Sequence, residues 1–254
     1  MSTSSNIWMQ CAGDSEIKPL LLDPWRVVES QHQISTRKLV DSDAEQQLLE
    51  QLIEEVKPRV RTRASKLHYL LFTPFRYPPL QHGSRFGTRV EPGIWYGAET
   101  LRAAFAEVAY YRLLFLEGTS ADLGLLEMEL STFKALVRTD RGVDLAAQPF
   151  AKFEAVLASP VSYVETQALG QAMREAGVEV FRYRSARDVE GGVNVGVFSA
   201  IAFGRRAPRE FETWHCVATR ARIEVVRRSY SDRVVFAYDR QEFLVDGALP
   251  SPAL

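Results

Sequence analysis

The chain has 254 residues, of which 46% are hydrophobic and 25% are charged, so one large domain with a sizeable core is expected. A formal net charge of −1 gives no reason to expect a nucleic acid or a membrane surface as a partner. Cys11 and Cys216 are the only cysteines, and their spacing indicates neither a disulfide framework nor a metal site. The polar N-terminus lacks a secretory signal and no stretch is long enough to span a membrane, so a cytoplasmic protein is expected.

Two regions are distinguished along the chain. Residues 1–65 are predicted to form an N-terminal extension, and residues 66–254 the main domain. In the extension, a capping box followed by apolar residues at helical spacing predicts a helix over 42–56. Segment 25–31 mixes charged residues with Val and is expected to be an ordered surface segment, and the basic stretch 59–65 is expected to connect the two regions.

The main domain is predicted to contain more strands than helices. One helix is expected from Thr100 to Gly118, and a second from Ser159–Pro160, a serine cap with proline at the first helical position, to Gly177. Because the strands do not alternate regularly with helices, we expect the α+β class, with a mixed, largely antiparallel sheet and flanking helices. Strands are predicted over 68–73, 94–97, 125–137, 178–185, 194–203, 214–226 and 233–245.

Several common catalytic motifs are missing from the sequence. The four histidines show no metal-ligand spacing, and His82-Gly-Ser-Arg-Phe does not have the frame of a serine nucleophile elbow. No G-x-G-x-x-G follows a predicted strand and no P-loop is present, which disfavours Rossmann-type dehydrogenases and nucleotide triphosphatases.

Arg85, Tyr96 and Glu107 follow one another at intervals of eleven residues, and this combination suits a site for a phosphate-bearing nucleotide. Arg85 could fork onto a pyrophosphate, with Gly83 allowing close approach, or could cap a surface turn. Tyr96 could stack on a ring or bond a ribose, or could be a core aromatic beside Trp95. Strand alternation places Trp95 and Tyr96 on opposite faces, so one of the two is expected to leave the main core.

Glu107 and Ser185 are the remaining candidates. Glu107 lies among small and aromatic residues on its predicted helix, with Arg112 as the one nearby salt partner. Its carboxylate is either exposed by chance or kept in a pocket, since unpaired buried carboxylates are costly and tend to mark sites. Ser185 ends a predicted strand, where it could bond a phosphate or a ribose or serve only the turn.

Four stretches together resemble the RES domain family, which takes its name from an arginine, a glutamate and a serine. On this resemblance Arg85, Glu107 and Ser185 match those residues, Tyr96 matches the family's active-site tyrosine, and the similarity covers roughly residues 67–245. The chain departs from shorter members in its long N-terminal segment and in having GSRF in place of a Gly-Arg-Trp-like loop. The stretches are GSRF (83–86), WYGAE (95–99), AFAEVAYYR (104–112) and YRSARD…GGVNV (183–195).

The resemblance implies a fold similar to ADP-ribosyltransferase-like toxins and an enzyme that cleaves NAD at the nicotinamide–ribose bond, by phosphorolysis or hydrolysis. Such proteins are typically toxins opposed by an Xre-type antitoxin. In this reading Arg85 binds phosphate, Tyr96 stacks or bonds near the nicotinamide ribose, Glu107 stabilises the positive charge that develops on the sugar, and Ser185 positions the substrate.

The resemblance leaves other possibilities open. No metal or resident cofactor is expected, because nicotinamide is already a cationic leaving group; NAD is the substrate, and inorganic phosphate would be the co-substrate of a phosphorolysis. The expected partners are NAD and an antitoxin protein, without nucleic acid or membrane, and self-association into a homo-oligomer stays open. The alternatives are an ADP-ribosyltransferase acting on a protein and a non-catalytic module on the same fold, with the N-terminal segment covering the site.

Overall fold

A single sheet of ten strands forms the centre of the structure, a computed structural model that describes residues 5–30, 40–56, 66–77, 79, 82–121, 123–228 and 232–251. The strands are β1 (Lys18–Leu22), β2 (Trp25–Glu29), β3 (Trp95–Ala98), β4 (Leu126–Lys134), β5 (Val137–Asp144), β6 (Val180–Arg184), β7 (Val193–Val197), β8 (Arg209–Ala218), β9 (Arg222–Arg228) and β10 (Arg233–Asp239). The helices are α1 (Ser5–Gln10), α2 (Asp43–Val56), α3 (Tyr69–Arg76), α4 (Leu101–Gly118), α5 (Glu154–Leu157) and α6 (Val164–Glu175).

The strand order across the sheet is β1-β5-β6-β7-β3-β2-β4-β8-β9-β10. All neighbouring strands are antiparallel except β5 and β6, which are parallel. The predicted α+β class with a mixed, largely antiparallel sheet is therefore confirmed. Within the described parts of the chain, no helix is both long and apolar enough to cross a membrane.

Helix α4 is the element that places the centre of the sequence against the sheet. Its predicted start and end are confirmed: the Thr100 hydroxyl accepts a hydrogen bond from the Ala103 N–H at 3.2 Å, and the helix runs to Gly118. Phe105 and Leu113 are buried in a core cluster shared with β4 and β8 to β10. Helices α1 and α6 pack against each other around a second cluster.

The predicted separation of an N-terminal extension is wrong for residues 5–29. Trp8 of α1 is buried in the core, β1 pairs with β5, and β2 lies inside the sheet between β3 and β4. Residues 25–29 of the segment predicted to lie on the surface are consequently a strand inside the sheet. Val27 packs on the α4 side of the sheet and Val28 on the opposite side, and a strand covered on both faces has no apolar alternation by which to recognise it.

The helix predicted over 42–56 is present as α2. The Ser42 hydroxyl accepts from the Glu45 N–H at 3.2 Å, and the Glu45 carboxylate accepts from the Asp41 N–H at 2.9 Å. The predicted connector 59–65 lies outside the described residues.

Residues 69–73 of the segment predicted as a strand over 68–73 belong to helix α3. The His68 side chain accepts from the Leu70 N–H at 3.3 Å and caps this helix, which contains Pro74 in its second turn. The periodicity of a short apolar run does not distinguish a strand from a helix. Here the run forms a helix whose first turn is capped by a histidine.

The segment predicted as one strand over 214–226 is two strands, β8 and β9. They are joined by a turn in which the Thr219 N–H donates to the Arg222 carbonyl at 2.9 Å, while the Thr219 hydroxyl accepts from the Arg222 N–H. The turn contains neither glycine nor proline, so the sequence carried no break signal. Strand β5 was not predicted, because its sequence is rich in polar residues.

Helix α6 begins at Val164, several residues after the predicted cap at Ser159. The Ser159 hydroxyl accepts from the Val161 N–H at 3.3 Å, and the Ser162 hydroxyl accepts from the Val164 N–H at 3.3 Å. The carbonyls of Ser159 and Pro160 are instead acceptors for arginine side chains, which keeps this stretch as a loop.

Helix α6 also supports the loop that carries Arg85. A Cβ added at Gly170 would lie 2.0 Å from the Phe86 carbonyl oxygen, so α6 packs on this loop at a distance that only glycine permits.

We expect Gly170→Ala to lower the free energy of unfolding by about 1–3 kcal/mol, because helix and loop must separate. Gly118→Ala is the matched control: an added Cβ there meets nothing within 4 Å, and alanine favours the helix. Urea unfolding of both variants measures the difference. Equal stability of the two variants would show that the loop is not held by this contact.

Candidate active site

A cavity of about 360 Å³ opens beside α4 and the adjacent strands β7, β3 and β2. Its charged lining residues are Arg26, Arg85 and Glu107. Three of the four predicted site residues, Arg85, Tyr96 and Glu107, line the cavity, and Ser185 contacts Glu107 from behind. The structure therefore brings all four together. The aromatic lining residues are Trp25, Tyr96, Tyr111, Tyr163 and Tyr183.

Among the described residues, the Glu107 carboxylate is held at one of its two oxygens. Its Oε1 accepts hydrogen bonds from the Ser185 hydroxyl at 2.9 Å and from Asn194 Nδ2 at 2.7 Å. Arg112, the salt partner considered from the sequence, pairs with Glu29 instead. No hydrogen bond reaches Oε2 from the described residues, so this oxygen is left for a group in the cavity.

Ser185 has no hydrogen-bonding capacity left for a substrate. Its single hydroxyl proton goes to Glu107, and its oxygen accepts from the backbone N–H groups of Arg187 at 3.1 Å and Asp188 at 3.2 Å. The predicted direct contact between Ser185 and a phosphate or ribose is therefore replaced by an indirect role. Ser185 positions Glu107.

Arg85 is buried and is not a surface arginine that caps a turn. It projects from the Gly83–Gly87 turn, where the Ser84 N–H donates to the Gly87 carbonyl at 2.7 Å. Its Nη1 donates to the carbonyls of Leu157 at 3.2 Å and Ser159 at 2.8 Å. Its guanidinium carbon lies 4.7 Å from the centroid of the Tyr163 ring. The cation is thus fixed at the cavity wall.

Tyr96 presents its ring to the cavity while its hydroxyl ties the Arg85 loop to β3. The hydroxyl lies 3.0 Å from Ser84 Oγ and accepts from the Phe86 N–H at 3.3 Å. Burial raises the pKa of Tyr96 to about 12, so the hydroxyl stays protonated at neutral pH. Trp95 is fully buried on the opposite face, as strand alternation predicts.

Arg26 is a site residue that the sequence reasoning missed. It lies on β2, donates from Nη1 to the Tyr96 carbonyl at 3.1 Å, and stacks 5.1 Å from the centroid of the Trp95 ring. Burial lowers its pKa to about 10, which leaves it charged at neutral pH. Among the described residues it forms no ion pair. A charged residue within the apolar run WRVV was the available signal.

Asn194 and Tyr183 were also missed, although both lie in stretches used for the resemblance. They face each other across the register of β6 and β7. Asn194 is 2% exposed and Tyr183 is 5% exposed, and both line the cavity. Burial raises the pKa of Tyr183 well above its usual value, and the Glu107 carboxylate adds to this. A polar side chain inside the strand VNVGV was the signal for Asn194.

Comparison with protein families agrees with this geometry. The family model described as RES domain matches residues 59–218, more than half of the chain. The chain belongs to the RES domain family. Strand β2 precedes the matched stretch, so Arg26 reaches this RES site from outside it. No curated protein sequence is significantly similar to the chain.

The fold of this RES protein is similar to that of a chain in the crystal structure of the M. tuberculosis MbcT–MbcA toxin–antitoxin complex. The TM-score is 0.50 at 12% sequence identity, and the alignment covers 84% of this chain and 93% of that chain. At this identity the similarity describes the fold.

We expect Arg85→Lys to loosen the loop over residues 157–163, because lysine keeps the charge but loses the planar stack on Tyr163 and one of two carbonyl contacts. Amide hydrogen exchange in this loop should become faster, and the free energy of unfolding should fall by about 1–2 kcal/mol. Arg89→Lys, an exposed change in the same region, is the control and should leave both unchanged. Unaltered exchange in Arg85→Lys would contradict the proposed anchoring.

Proposed function

We propose that this protein cleaves the nicotinamide–ribose bond of NAD, as a NAD phosphorylase or NAD glycohydrolase, and that it is the toxin of a toxin–antitoxin pair. The observation that carries the proposal is the Glu107 carboxylate, which lines the cavity, is fixed at Oε1 by two donors and accepts no hydrogen bond at Oε2 from the described residues. A carboxylate held in this way is suited to stabilise positive charge on a bound group.

The charge around the cavity supports an anionic substrate. Arg85 lines it together with a single carboxylate, is held by two carbonyls and the Tyr163 ring, and forms no ion pair among the described residues. Arg26 also borders the cavity, but its guanidinium stacks on Trp95, on the opposite face of β3 from Tyr96. A guanidinium held as Arg85 is can bind the diphosphate of a dinucleotide. The Tyr96 ring offers a surface on which a nicotinamide ring can stack, and about 360 Å³ is room for a group of nucleoside size.

The proposed cleavage of the nicotinamide–ribose bond can be described with these residues and the incoming nucleophile. As the bond from ribose C1 to the nicotinamide nitrogen breaks, its electron pair goes to that nitrogen, which becomes neutral, and the sugar becomes cationic. Glu107 Oε2 stabilises this cation. A phosphate oxygen then bonds to C1 to give ADP-ribose 1″-phosphate, or a water does so and releases a proton to the solvent to give ADP-ribose. Arg85 is suited to hold an incoming phosphate.

The toxin role rests on the family and on the fold shared with a chain of the MbcT–MbcA complex. The partner proposed for this chain is an antitoxin protein that closes the cavity. Tyr111 lines the cavity and is 54% exposed, and Phe115, one turn further along α4, is 56% exposed. An antitoxin that covers the cavity would bury both rings.

Incubation of the purified chain with NAD, with and without inorganic phosphate, tests the activity. We expect release of nicotinamide in both cases or only with phosphate. ADP-ribose 1″-phosphate identifies phosphorolysis, ADP-ribose identifies hydrolysis, and a labelled protein band identifies ADP-ribosyl transfer. Folded protein that releases no nicotinamide under any of these conditions would leave the binding-module alternative in place.

We expect Glu107→Gln to lower turnover roughly a hundredfold to a thousandfold while NAD still binds, because the change removes charge and keeps shape. Expression of the wild type should slow bacterial growth, Glu107→Gln should relieve the effect, and the product of the neighbouring gene should restore growth if it is the antitoxin. Steady-state kinetics and NAD titration give the comparison. Glu129→Gln, an exposed change, is the control. Near-wild-type turnover of Glu107→Gln would refute the role of Glu107.

A further inference from the structure

Asn194 carries a buried acceptor that no group in the described parts of the protein satisfies. Its side chain is 2% exposed and lines the cavity, and its Oδ1 has no hydrogen-bond partner there. Its Nδ2 donates to Glu107 Oε1 at 2.7 Å. This contact fixes the orientation of the amide, because an amide oxygen facing the carboxylate would be repelled.

The described residues offer Oδ1 no alternative donor. Tyr183 faces Asn194 across the strand register, and burial raises its pKa while the nearby amide partly offsets this. Even so, no contact between the Tyr183 hydroxyl and Oδ1 has hydrogen-bond geometry. Buried acceptors are normally satisfied, and an unsatisfied one that lines a cavity indicates a donor on the ligand.

The position of Oδ1 decides which part of the ligand carries that donor. Oδ1 belongs to the same amide that holds Glu107, so it lies close to the carboxylate to which the proposed function assigns the reacting sugar. The sugar carbon next to the bond being cleaved carries a hydroxyl, and so does the following carbon. With the reacting carbon at Glu107, as that function requires, these hydroxyls would be the sugar donors closest to the carboxylate.

We propose that Asn194 Oδ1 accepts a hydrogen bond from a hydroxyl of the ribose that bears nicotinamide, so that Asn194 selects ribose over deoxyribose at this position. The inference rests on the proposed NAD cleavage and adds a specificity residue to it. Asn194 then has two contacts, one that positions Glu107 through Nδ2 and one to the substrate through Oδ1.

A double-mutant cycle, in which Asn194 is changed in the enzyme and a hydroxyl is removed from the substrate, tests the contact. The kcat/KM for nicotinamide release is measured with NAD and with its 2″-deoxy and 3″-deoxy forms, for the wild type and for Asn194→Ala. Removal of the contacted hydroxyl should cost the wild type about tenfold to a hundredfold more than it costs Asn194→Ala. Because deoxysugars differ intrinsically in glycosidic reactivity, only the ratio between the two enzymes is informative.

Two further variants separate this contact from the positioning of Glu107. Ser185→Ala removes the other donor to Glu107 but no acceptor for the sugar, so it should lose turnover and keep the wild-type hydroxyl preference. Asn194→Asp keeps an acceptor in the cavity, so it should also keep the preference while turnover falls through repulsion of Glu107. Circular dichroism and thermal unfolding establish that each variant is folded.

Binding of ADP-ribose and its deoxy forms, measured by calorimetry, reports the same contact without turnover. If the wild type releases no nicotinamide but the hydroxyl preference in binding depends on Asn194, the proposed function fails and the contact stands. If NAD is cleaved but the hydroxyl effect is equal in wild type and Asn194→Ala for both deoxy forms, the contact is refuted and the function stands. Loss of preference in Ser185→Ala to the same extent as in Asn194→Ala would also refute the contact.

Discussion

The hydrogen bonds that hold one oxygen of the Glu107 carboxylate are the constraint on which the arrangement of the site depends. Ser185 comes from the end of β6, Asn194 from β7 and Glu107 from α4, so a single carboxylate oxygen joins a helix to two strands. Hydrogen bonds to a charged acceptor contribute about 1.5–3 kcal/mol each, enough to offset part of the cost of removing the carboxylate from water. Because both donors use Oε1, the second oxygen of this cavity-lining carboxylate has no donor among the described residues.

The cations near Glu107 are held without carboxylates. Arg85 uses the carbonyl at the end of α5, a second carbonyl in the loop after α5 and the Tyr163 ring, and Arg26 uses a carbonyl of β3 and the Trp95 ring. Arg187, just behind the site, lies 3.5 Å from the centroid of the Tyr110 ring and donates to the Pro160 carbonyl at 3.2 Å. Carbonyls and ring faces hold a guanidinium in place without neutralising it, so the positive charge of Arg85, which lines the cavity, remains available to an anionic ligand.

Strand β2 connects this site to the rest of the sheet. It pairs with both β3 and β4. A strand from the beginning of the chain therefore lies inside the sheet, and that strand brings Trp25 and Arg26 to the border of the cavity. A deletion of the first sixty residues, which would be harmless for a detachable extension, would remove two strands of the sheet.

The residues of the site differ in how well they could be predicted from the sequence. The α+β class, the helix that carries Glu107 and the strand that carries Tyr96 follow from local signals, because caps and strand alternation act over a few residues. The candidates Arg85, Tyr96 and Glu107 came from their residue types and from the family resemblance, and they do line one cavity. The position of Arg26 and the two contacts proposed for Asn194 could not be predicted from the neighbouring residues in the sequence. The sequence by itself determined which side chains were available, and only the tertiary structure decided which met at Glu107, because strand pairing over long separations sets those distances.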